Sequence, residues 1–299
     1  MTKTTKTLSA LVERVAEAIG GATFLDPAAQ AGSKLTDLIP RGPVKDLLSG
    51  TDAGHPVHPA LVAVPIGTFT GAVFLDLTGG DAAASRRLIG LGLASSVPTV
   101  AAGLSDWGDT QGDERRVGVA HALSNAVGLG LMAASWVRRG SGGGSGGGKA
   151  LALAGMGAIG LGGWLGGHLS YALGVGVDTT AFQKPPTAWT DACSEFDLRG
   201  SSPYVVTVED TPVMLIRHDG ELRALNNRCT HRGGPLSEGE VVDGCIECPW
   251  HGSRFSPDDG SVARGPASRP APTFETRIVE GRVQVRRQES RALRTNPVS

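Results

Sequence analysis

Charge is scarce in this sequence: Lys, Arg, Asp and Glu make up 19% of its 299 residues, and the formal net charge is −1. Phosphate binding needs a surplus of basic residues, so we do not expect a nucleic-acid partner. Four cysteines are too few for a scaffold held by disulfides. No apolar signal-peptide core follows the polar start at 1–9, so we do not expect a simple secreted protein either.

Glycine, in contrast, is abundant, with 44 residues, and many of them lie in four long apolar stretches. Each stretch has about the 20 residues that a helix needs to cross roughly 30 Å of hydrocarbon, and none carries more than one charged or histidine side chain. A soluble bundle would instead show a polar face on every helix. We therefore predict an antiparallel four-helix transmembrane domain over 55–180, with spans at 59–79, 88–105, 117–137 and 150–177.

Individual residues in and around these spans support further predictions about the helical domain. Small residues at every fourth position predict close helix packing in lipid; in the fourth stretch they are Ala154, Ala158, Gly162 and Gly166. The lone carboxylate of the first stretch, Asp76, has no role that the sequence explains. The Gly/Ser run 141–148 predicts a flexible loop. Apolar residues at helical spacing over 8–19 predict that 1–54 is an amphipathic amino-terminal region, on the membrane surface or against the bundle.

The composition changes after residue 177, where charges return and turn residues appear at short intervals. We predict a linker over 181–195, strands over 204–208, 213–216 and 282–285, and a disordered tail over 288–299. Short strands with frequent turns are typical of a small all-β domain. The predicted fold class is therefore multi-domain, an all-α four-helix transmembrane bundle followed by a small all-β domain.

The most specific motif is Cys229-Thr-His231 followed, after sixteen residues, by Cys248-Pro-Trp-His251. Two cysteines and two histidines can bind zinc, or a 2Fe-2S cluster in which two thiolates hold one iron and two imidazoles hold the other. Zinc sites usually take both cysteines from one loop and both histidines from another. Here each loop supplies one of each, which favours a cluster with two different irons.

The two loops resemble those of the Rieske ferredoxin-like family, the first over 229–236 and the second over 248–255, and Gly265-Pro266-Ala267 resembles the family's third, proline-bearing loop. The resemblance covers roughly 196–287. It implies a 2Fe-2S cluster with Cys229 and Cys248 on the buried iron and His231 and His251 on the outer iron. It also implies a cluster environment formed by Trp250, Ser253, Phe255 and Pro266, with the Ser253 hydroxyl donating to a cluster sulfide.

Departures from that family are informative. Rieske proteins of quinol-oxidising complexes join their loops by a disulfide, but Gly234 and Trp250 stand at those positions. Phe255 stands where high-potential members have a tyrosine hydroxyl, which implies a potential in the lower part of the family's range. We interpret Cys245 as a small buried strand residue and Cys193 as a free thiol, which together favour a reducing compartment.

The chain has no histidine after His251, so it lacks the 2-His-1-carboxylate iron site of a Rieske oxygenase. We therefore expect an electron-transfer component, an oxidoreductase subunit that is not a stand-alone enzyme, working with a redox partner protein such as a reductase or a membrane acceptor. Two alternatives stay open: a quinone-reactive oxidoreductase subunit and a redox sensor.

Four of the seven histidines lie in or beside the predicted spans, and they are His55, His58, His121 and His168. An even number of spans would bring all four into the half of the bilayer that faces the cluster domain. Ionisable residues inside a membrane mark function by default, and helix-borne histidines of four-helix bundles can hold haem or a metal. Haem b is therefore a candidate second cofactor, with His121 paired to His168 or to His58. The alternative is that these histidines only cap helices or bond helix neighbours.

The segment Gly54-His-Pro-Val-His-Pro-Ala-Leu61, with later motifs at 121–125 and 166–169, resembles an uncharacterised family of four-helix bacterial membrane proteins. That resemblance covers about 11–178, and actinobacterial fusions of this family to a Rieske domain are similar throughout. It implies a multi-pass protein of the cell membrane, with the lipid bilayer as a partner. Basic residues near the spans are balanced between the two sides. Because clusters are assembled in the cytoplasm, we expect the cluster domain there.

Overall fold

The computed structural model describes residues 3–141, 145–198 and 202–288, which form two compact units. One, the helical unit, contains Met1–Pro40 and Pro56–Val175. The other, the β-unit, contains Gly176–Ser299 together with Arg41–His55. The β-unit is therefore formed by two segments that are far apart in sequence. The expectation that 1–54 forms one amino-terminal region is wrong for 41–54, which belong to the β-unit.

The helical unit begins with α1 (Lys3–Gly20) and α2 (Asp26–Thr36), and α3 (Pro43–Ser49) lies in the β-unit segment. The helices that follow are α4 (His58–Leu61), α5 (Ala63–Thr78), α6 (Ala82–Gly108), α7 (Gly112–Gly140) and α8 (Ser145–Tyr171). Among the described residues, four helical segments are long and apolar enough to cross a membrane: 58–78, 82–108, 112–140 and 146–171. The predicted four-helix architecture is confirmed.

Close approach of α7 and α8 depends on glycine. A Cβ atom added to Gly128 or to Gly155 would lie 3.0 Å from the other residue's carbonyl oxygen, so a side chain at either position would push the helices apart. Gly162 and Gly166, from the predicted small-residue row, also face side chains of α7. The four helices α5 to α8 together bury Phe69, Ala72, Ile89, Met132 and Ile159 in one core cluster.

The helix α8 begins at Ser145, so the prediction of a loop throughout 141–148 is wrong for its last four residues. Glycine has low helix propensity, but contacts with α7 outweigh it here. The Ser135 hydroxyl donates to the Gly148 carbonyl oxygen at 2.7 Å. A Cβ atom on Gly147 would collide with Arg138 Nε, so glycine leaves room for that arginine. The same helix ends at Tyr171, six residues before the predicted end of the span.

The structure gives Asp76 a role. Arg139 donates from Nη1 to Asp76 Oδ1 at 2.9 Å and from Nη2 to Asp76 Oδ2, and both side chains are only 5% exposed. Ser85 Oγ donates to Asp76 Oδ1 at 2.9 Å, and Lys149 Nζ donates to the Asp76 backbone oxygen at 3.0 Å. These bonds connect α5 to α6, α7 and α8. Asp76 therefore holds one end of the bundle together.

We expect Asp76→Asn to destabilise the helical unit by about 3–5 kcal/mol, because the buried Arg139 charge loses its counter-ion. The measurement is thermal unfolding of the full chain in detergent. Asp81→Asn is the matched control: Asp81 accepts from two backbone amides at the start of α6, and asparagine caps a helix as well as aspartate does. Equal midpoints for the two variants would contradict the assigned role.

The β-unit consists of two antiparallel sheets. The larger has the order β1-β10-β9-β4-β3-β2, and the smaller has the order β5-β6-β7-β8. The strands are β1 (Thr190–Ser194), β2 (Tyr204–Val208), β3 (Thr211–His218), β4 (Glu221–Asn226), β5 (Glu240–Val242), β6 (Cys245–Glu247), β7 (Arg254–Phe255), β8 (Val262–Arg264), β9 (Thr273–Val279) and β10 (Arg282–Arg287).

The three predicted strands are present within β2, β3 and β10. The predicted linker 181–195 is wrong in part, because Thr190–Ser194 pairs with the outer edge of β10 and so extends the larger sheet. Cys193 on that strand is buried, and burial raises the pKa of its thiol above the usual value. Cys245 does lie on a strand, but it is half-buried, not fully buried as expected. The predicted tail falls, from residue 289 onward, outside the described residues.

The strand β3 is buried on both of its faces. Val213 and Leu215 belong to one core cluster, while Met214 and Ile216 belong to another. Successive side chains of a strand point to opposite faces, so one strand serves both cores. The cluster with Met214 and Ile216 also contains the two motif cysteines, Cys229 and Cys248, and Phe255. The metal motif is therefore built into a hydrophobic core.

Candidate metal centre

Two loops with the same backbone hydrogen bonds present the motif. In the first, which follows β4, Gly233 N donates to Cys229 O at 2.8 Å and Cys229 N donates to Gly234 O at 2.8 Å. In the second, which joins β6 to β7, Gly252 N donates to Cys248 O at 3.0 Å and Cys248 N donates to Ser253 O at 2.8 Å.

Both closures pass through a glycine with positive φ, +82° at Gly233 and +77° at Gly252. Residues with a Cβ atom rarely adopt this backbone conformation, so glycine is required at both positions. The two loops are therefore matched supports for one cysteine and one histidine each.

The thiols of Cys229 and Cys248 are hydrogen-bonded to one another and are 1% and 2% exposed. That shared hydrogen bond is the main reason that the pKa of Cys248 is lowered to about 7; the amides of Trp250 and His251 also donate to its sulfur. The proton stays on Cys229, whose pKa is raised by the same bond and by burial. Backbone amides aimed at sulfur stabilise thiolates, the form in which cysteine binds metal.

The imidazoles of His231 and His251 lie edge to face, with ring centroids 5.1 Å apart. Two imidazoles on one tetrahedral metal ion have ring centres roughly 5 Å apart, because each metal–nitrogen bond is about 2 Å. Both rings are half-buried, whereas the cysteines are buried. The histidine pair therefore lies nearer the surface than the cysteine pair.

The donors form two pairs. In the part of the chain that the structure describes, no group of three or more His, Cys, Asp or Glu side chains is placed to hold a single metal ion. A mononuclear zinc site would need three or four such donors at one point. A 2Fe-2S cluster of the Rieske type needs two thiolates for one iron and two imidazoles for the other. The donor set fits the cluster.

Close packing around the cysteines leaves no room for a larger residue at Gly234. A Cβ atom there would lie 2.8 Å from Cys248 Sγ and 3.0 Å from the Trp250 ring. The Trp250 side chain is 52% exposed, beside His251 with ring centroids 6.5 Å apart. At the two positions where quinol-oxidising relatives have the cysteines of a disulfide, this chain therefore has a closely packed glycine, Gly234, and an exposed aromatic residue, Trp250.

The remaining predicted residues of the cluster environment also lie at these loops. Ser253 is fully buried, and its Oγ accepts from Ala267 N at 2.9 Å, which leaves its hydroxyl proton for another acceptor. Pro266 lies between Gly265 and Ala267 in the proline loop, after a cis peptide bond. Phe255 is fully buried in the core with the cysteines.

Sequence reasoning missed an ionic support of the second loop. Arg264 donates from Nε and Nη2 to Gly252 O at 3.1 and 2.7 Å, and its Nη2 lies 2.9 Å from Glu247 Oε2. Burial by itself would raise the pKa of Glu247, but the hydrogen bond from Arg254 and the charges of both arginines outweigh it, so the pKa is lowered. Glu247 and Arg264 are 17 positions apart in sequence, and only the pairing of β6, β7 and β8 brings them together.

The four histidines expected in the membrane do not form a single group. His58 and His121 meet inside the helical unit, with ring centroids 6.4 Å apart. His168 instead stacks on Trp164 of its own helix, with centroids 6.1 Å apart. His55 has an exposed side chain in the segment assigned to the β-unit. Of the pairs considered from sequence, the structure brings together His58 and His121.

Comparisons with known proteins agree with this geometry. Residues 188–275 match the family described as "Rieske [2Fe-2S] domain", and residues 54–179 match the family described as "Predicted membrane protein (DUF2231)". Ferredoxin CarAc of Metapseudomonas resinovorans is 34% identical over 98 residues, which cover 32% of this chain and 92% of that protein. The anthranilate 1,2-dioxygenase ferredoxin subunit of Burkholderia cepacia is 38% identical over 74 residues, covering 25% of this chain and 68% of that protein.

Apoptosis-inducing factor 3 of Homo sapiens is 32% identical over 94 residues, which cover 31% of this chain and 16% of the human protein. The similarity to that relative is thus confined to a small part of its length.

A two-sheet domain whose matched loops pair two cysteines and two histidines defines a Rieske-type iron–sulfur protein. The chain belongs to the Rieske [2Fe-2S] family, and its helical unit matches the predicted membrane protein family DUF2231. The family implies a 2Fe-2S cluster as cofactor. The suspected fusion of the two families is confirmed.

We expect Phe255→Tyr to raise the reduction potential of the cluster by about 40 mV, the equivalent of roughly 1 kcal/mol for one added hydrogen bond to the reduced, more negative cluster. The measurement is a redox titration followed by electron paramagnetic resonance (EPR). Phe255→Leu, which adds no hydroxyl, is the control and should keep the wild-type potential. Equal potentials for Phe255→Tyr and Phe255→Leu would show that no such bond forms.

Proposed function

We propose that the protein is a membrane-anchored carrier of single electrons, in which Cys229 and Cys248 hold one iron of the cluster and His231 and His251 hold the other. The observation that carries the proposal is the order of burial, with the cysteine pair in the core and the histidine pair half-exposed. Electrons then enter and leave through the imidazoles. Relatives that are ferredoxin subunits of dioxygenase systems support the same role.

The cluster, when bound, supplies a one-electron couple. The chain's own residues hold it and limit its reactions. Backbone amides donate to the sulfurs of both buried cysteines, which favours the thiolate form that binds iron, and the fully buried Phe255 and Leu236 exclude water from that side. The Ser253 hydroxyl proton would be available to a cluster sulfide. The exposed Trp250 ring beside His251 offers an apolar contact for a docking protein.

The partner we propose is a reductase or another redox protein that docks at the histidine edge. The helical unit holds the carrier at the lipid bilayer, since four of its helical segments are apolar enough to cross one. We propose a cytoplasmic cluster domain, where clusters are assembled. None of the four cysteines, all of which lie in the described residues, forms a disulfide, which is compatible with a reducing compartment.

The test uses the full chain purified in detergent with its cluster. Dithionite-reduced protein, freed of excess reductant, should return one electron per chain to ferricyanide, and Cys248→Ser should return none because the cluster is lost. Trp250→Ala should keep the EPR signal of the cluster while slowing its reduction by a ferredoxin reductase several-fold. Zinc in place of iron in the wild-type protein would refute electron transfer.

A quinone-reactive role gives a different result in the same preparation. Reduced protein mixed with a soluble menaquinone or ubiquinone analogue would be oxidised rapidly, and this would depend on the helical unit. The carrier proposal expects that neither analogue oxidises the reduced protein and that a reductase does reduce the cluster.

A second candidate function, haem-based electron transfer inside the helical unit, is favoured by the geometry of His58 and His121. Two imidazoles that bind one metal from opposite sides have ring centres roughly 6 Å apart, because each metal–nitrogen bond is about 2 Å. The observed separation is 6.4 Å. The histidine pair of the β-unit, at 5.1 Å, fits two ligands on the same tetrahedral ion instead.

Hydrogen bonds orient both of these imidazoles. His58 Nδ1 lies 2.9 Å from the Thr99 carbonyl oxygen, and His121 Nδ1 lies 2.7 Å from the Gly162 carbonyl oxygen. Metal-binding histidines commonly donate their other ring nitrogen to such a carbonyl, which leaves Nε2 as the acceptor. On His121 that nitrogen faces Asn125 Nδ2, which a metal would have to displace. Asn125 Nδ2 lies 3.5 and 3.4 Å from the two ring nitrogens of His121, and donates to the His121 carbonyl oxygen at 2.9 Å.

Haem iron suits this pair better than a bare ion. No third His, Cys, Asp or Glu donor joins the two histidines within the described chain, so a bare ion would have only two protein ligands. Haem brings four nitrogen ligands of its own and needs only two more. We therefore propose haem b as the group that His58 and His121 would hold.

We expect protein produced with a haem precursor to carry one low-spin haem per chain, seen as a sharp band in the reduced-minus-oxidised spectrum. His58→Gln and His121→Gln should lose it, and His168→Gln, the matched control, should keep it. Added imidazole should restore the band in His121→Gly, which separates a ligand from a packing residue. Haem-free wild-type protein with a full cluster would leave the two histidines as hydrogen-bonding residues only.

A further inference from the structure

A segment that lies almost entirely outside both family matches packs against the loops of the metal centre. We call Arg41–His55, which contains α3, the strap. The two family matches span residues 54–179 and 188–275, so all but the last two strap residues lie outside both. The ferredoxin relative that is matched over 92% of its length aligns over only 98 residues, fewer than the β-unit contains even without the strap. Yet the strap packs as part of the β-unit.

The strap's first contact is with the proline loop. Asp46 Oδ1 accepts a hydrogen bond from Gly265 N at 2.8 Å, immediately before Pro266. Thr51 N donates to Asp46 O at 2.9 Å and thereby brings Thr51 beside the same glycine. A Cβ atom on Gly265 would collide with Thr51 Oγ1, so glycine permits this approach.

The proline loop is thus held from two directions. The strap binds Gly265, and two residues later Ala267 N donates to the buried Ser253 hydroxyl of the second ligand loop at 2.9 Å. The residue between these bonds is Pro266. Loss of either bond would free one end of the loop that covers the cluster in this family.

The strap's second contact is with the second ligand loop. Arg41 Nη1 lies 2.8 Å from where a Cβ atom on Gly252 would be, and Gly252 directly follows His251. The positive charge of Arg41 also contributes, as the smallest of several causes, to the lowered pKa of Glu247. Through Arg41 and Asp46, the strap contacts two of the three loops that surround the metal centre.

Asp46 is held in a partly desolvated position. Burial raises the pKa of its carboxyl above the usual value; the Gly265 amide and the Arg264 charge act in the opposite direction, and the charge of Asp52 adds a small further increase. A carboxylate near a cluster opposes its reduction, because the reduced cluster carries one more negative charge. Asp46 can therefore act on the metal centre both by position and by charge.

We propose that Asp46 is a positioning residue of the metal centre: through Gly265 it anchors the proline loop over the cluster, and its negative charge lowers the cluster's reduction potential. The inference rests on the proposed role of Cys229, His231, Cys248 and His251 as cluster ligands. It assigns the strap, which precedes the transmembrane helices in sequence, to the redox site.

The test compares two substitutions in the full-length protein. Asp46→Asn keeps an oxygen acceptor for Gly265 but removes the charge, so the EPR-monitored potential should become more positive while amide hydrogen exchange around Gly265 stays near wild type. Asp46→Ala removes both, so it should show the same direction of shift, several-fold faster exchange around Gly265 and several-fold faster loss of cluster to a chelator. Asp52→Asn, an exposed strap carboxylate, is the matched control and should behave as wild type.

Wild-type exchange, potential and cluster lifetime in Asp46→Ala would overturn the proposal. Equal potential shifts in Asp46→Asn and Asp52→Asn would overturn its electrostatic half, because any strap charge would then serve. Hydrogen exchange can be compared in protein stripped of its cluster, so the contact between strap and loop is tested even when an Asp46 variant loses its cluster. Failure of the wild-type protein to hold iron would refute the carrier function, whereas wild-type exchange in Asp46→Ala would refute only this inference.

Discussion

Burial of two cysteine sulfurs side by side is the constraint on which the β-unit depends. Cys229 and Cys248 are almost completely buried, and their sulfurs are close enough to share a proton. Two thiolates so close together in a core, the form needed to hold iron, would have to be neutralised by a metal and stabilised by hydrogen-bond donors. Two identically closed loops supply backbone amides to the sulfurs, and the tight turns at Gly233 and Gly252 make that closure possible. The surrounding sheets form the rigid frame that the loops need.

The helical unit solves a related problem in a different solvent. Charges inside a bilayer are costly unless they are paired, and Asp76 and Arg139 pair at one end of the bundle. Elsewhere in the same unit, the imidazoles of His58 and His121 form hydrogen bonds with backbone carbonyls of neighbouring helices. Glycines at the helix contacts allow this, because the backbones come near enough for a side chain of one helix to reach a carbonyl of the next. Small residues thus serve both packing and polar satisfaction.

The strap joins two parts of the chain that a sequence reader would separate. Residues 41–55 look like a continuation of the amino-terminal helices, with Pro40 and Pro43 interrupting a weak amphipathic pattern. Their partners, Gly252 and Gly265, lie more than 200 residues later. No local pattern encodes such a contact, since Asp46 bonds to a backbone amide and leaves no complementary side chain to recognise. The β1 strand was missed for a similar reason, because its pairing with β10 comes from tertiary structure.

The sequence by itself determined the four apolar spans, the all-β domain and the motif Cys229, His231, Cys248 and His251, which we propose as the cluster ligands. The length of an apolar stretch and the spacing of a motif are local properties, so both can be obtained from the sequence without a structure. Only the tertiary structure decided that His58 meets His121 while His168 stacks on Trp164, that Asp76 pairs with Arg139, and that Asp46 reaches the proline loop. Those contacts depend on helix rotation and loop path, where a shift of one residue turns a side chain by about 100° around a helix.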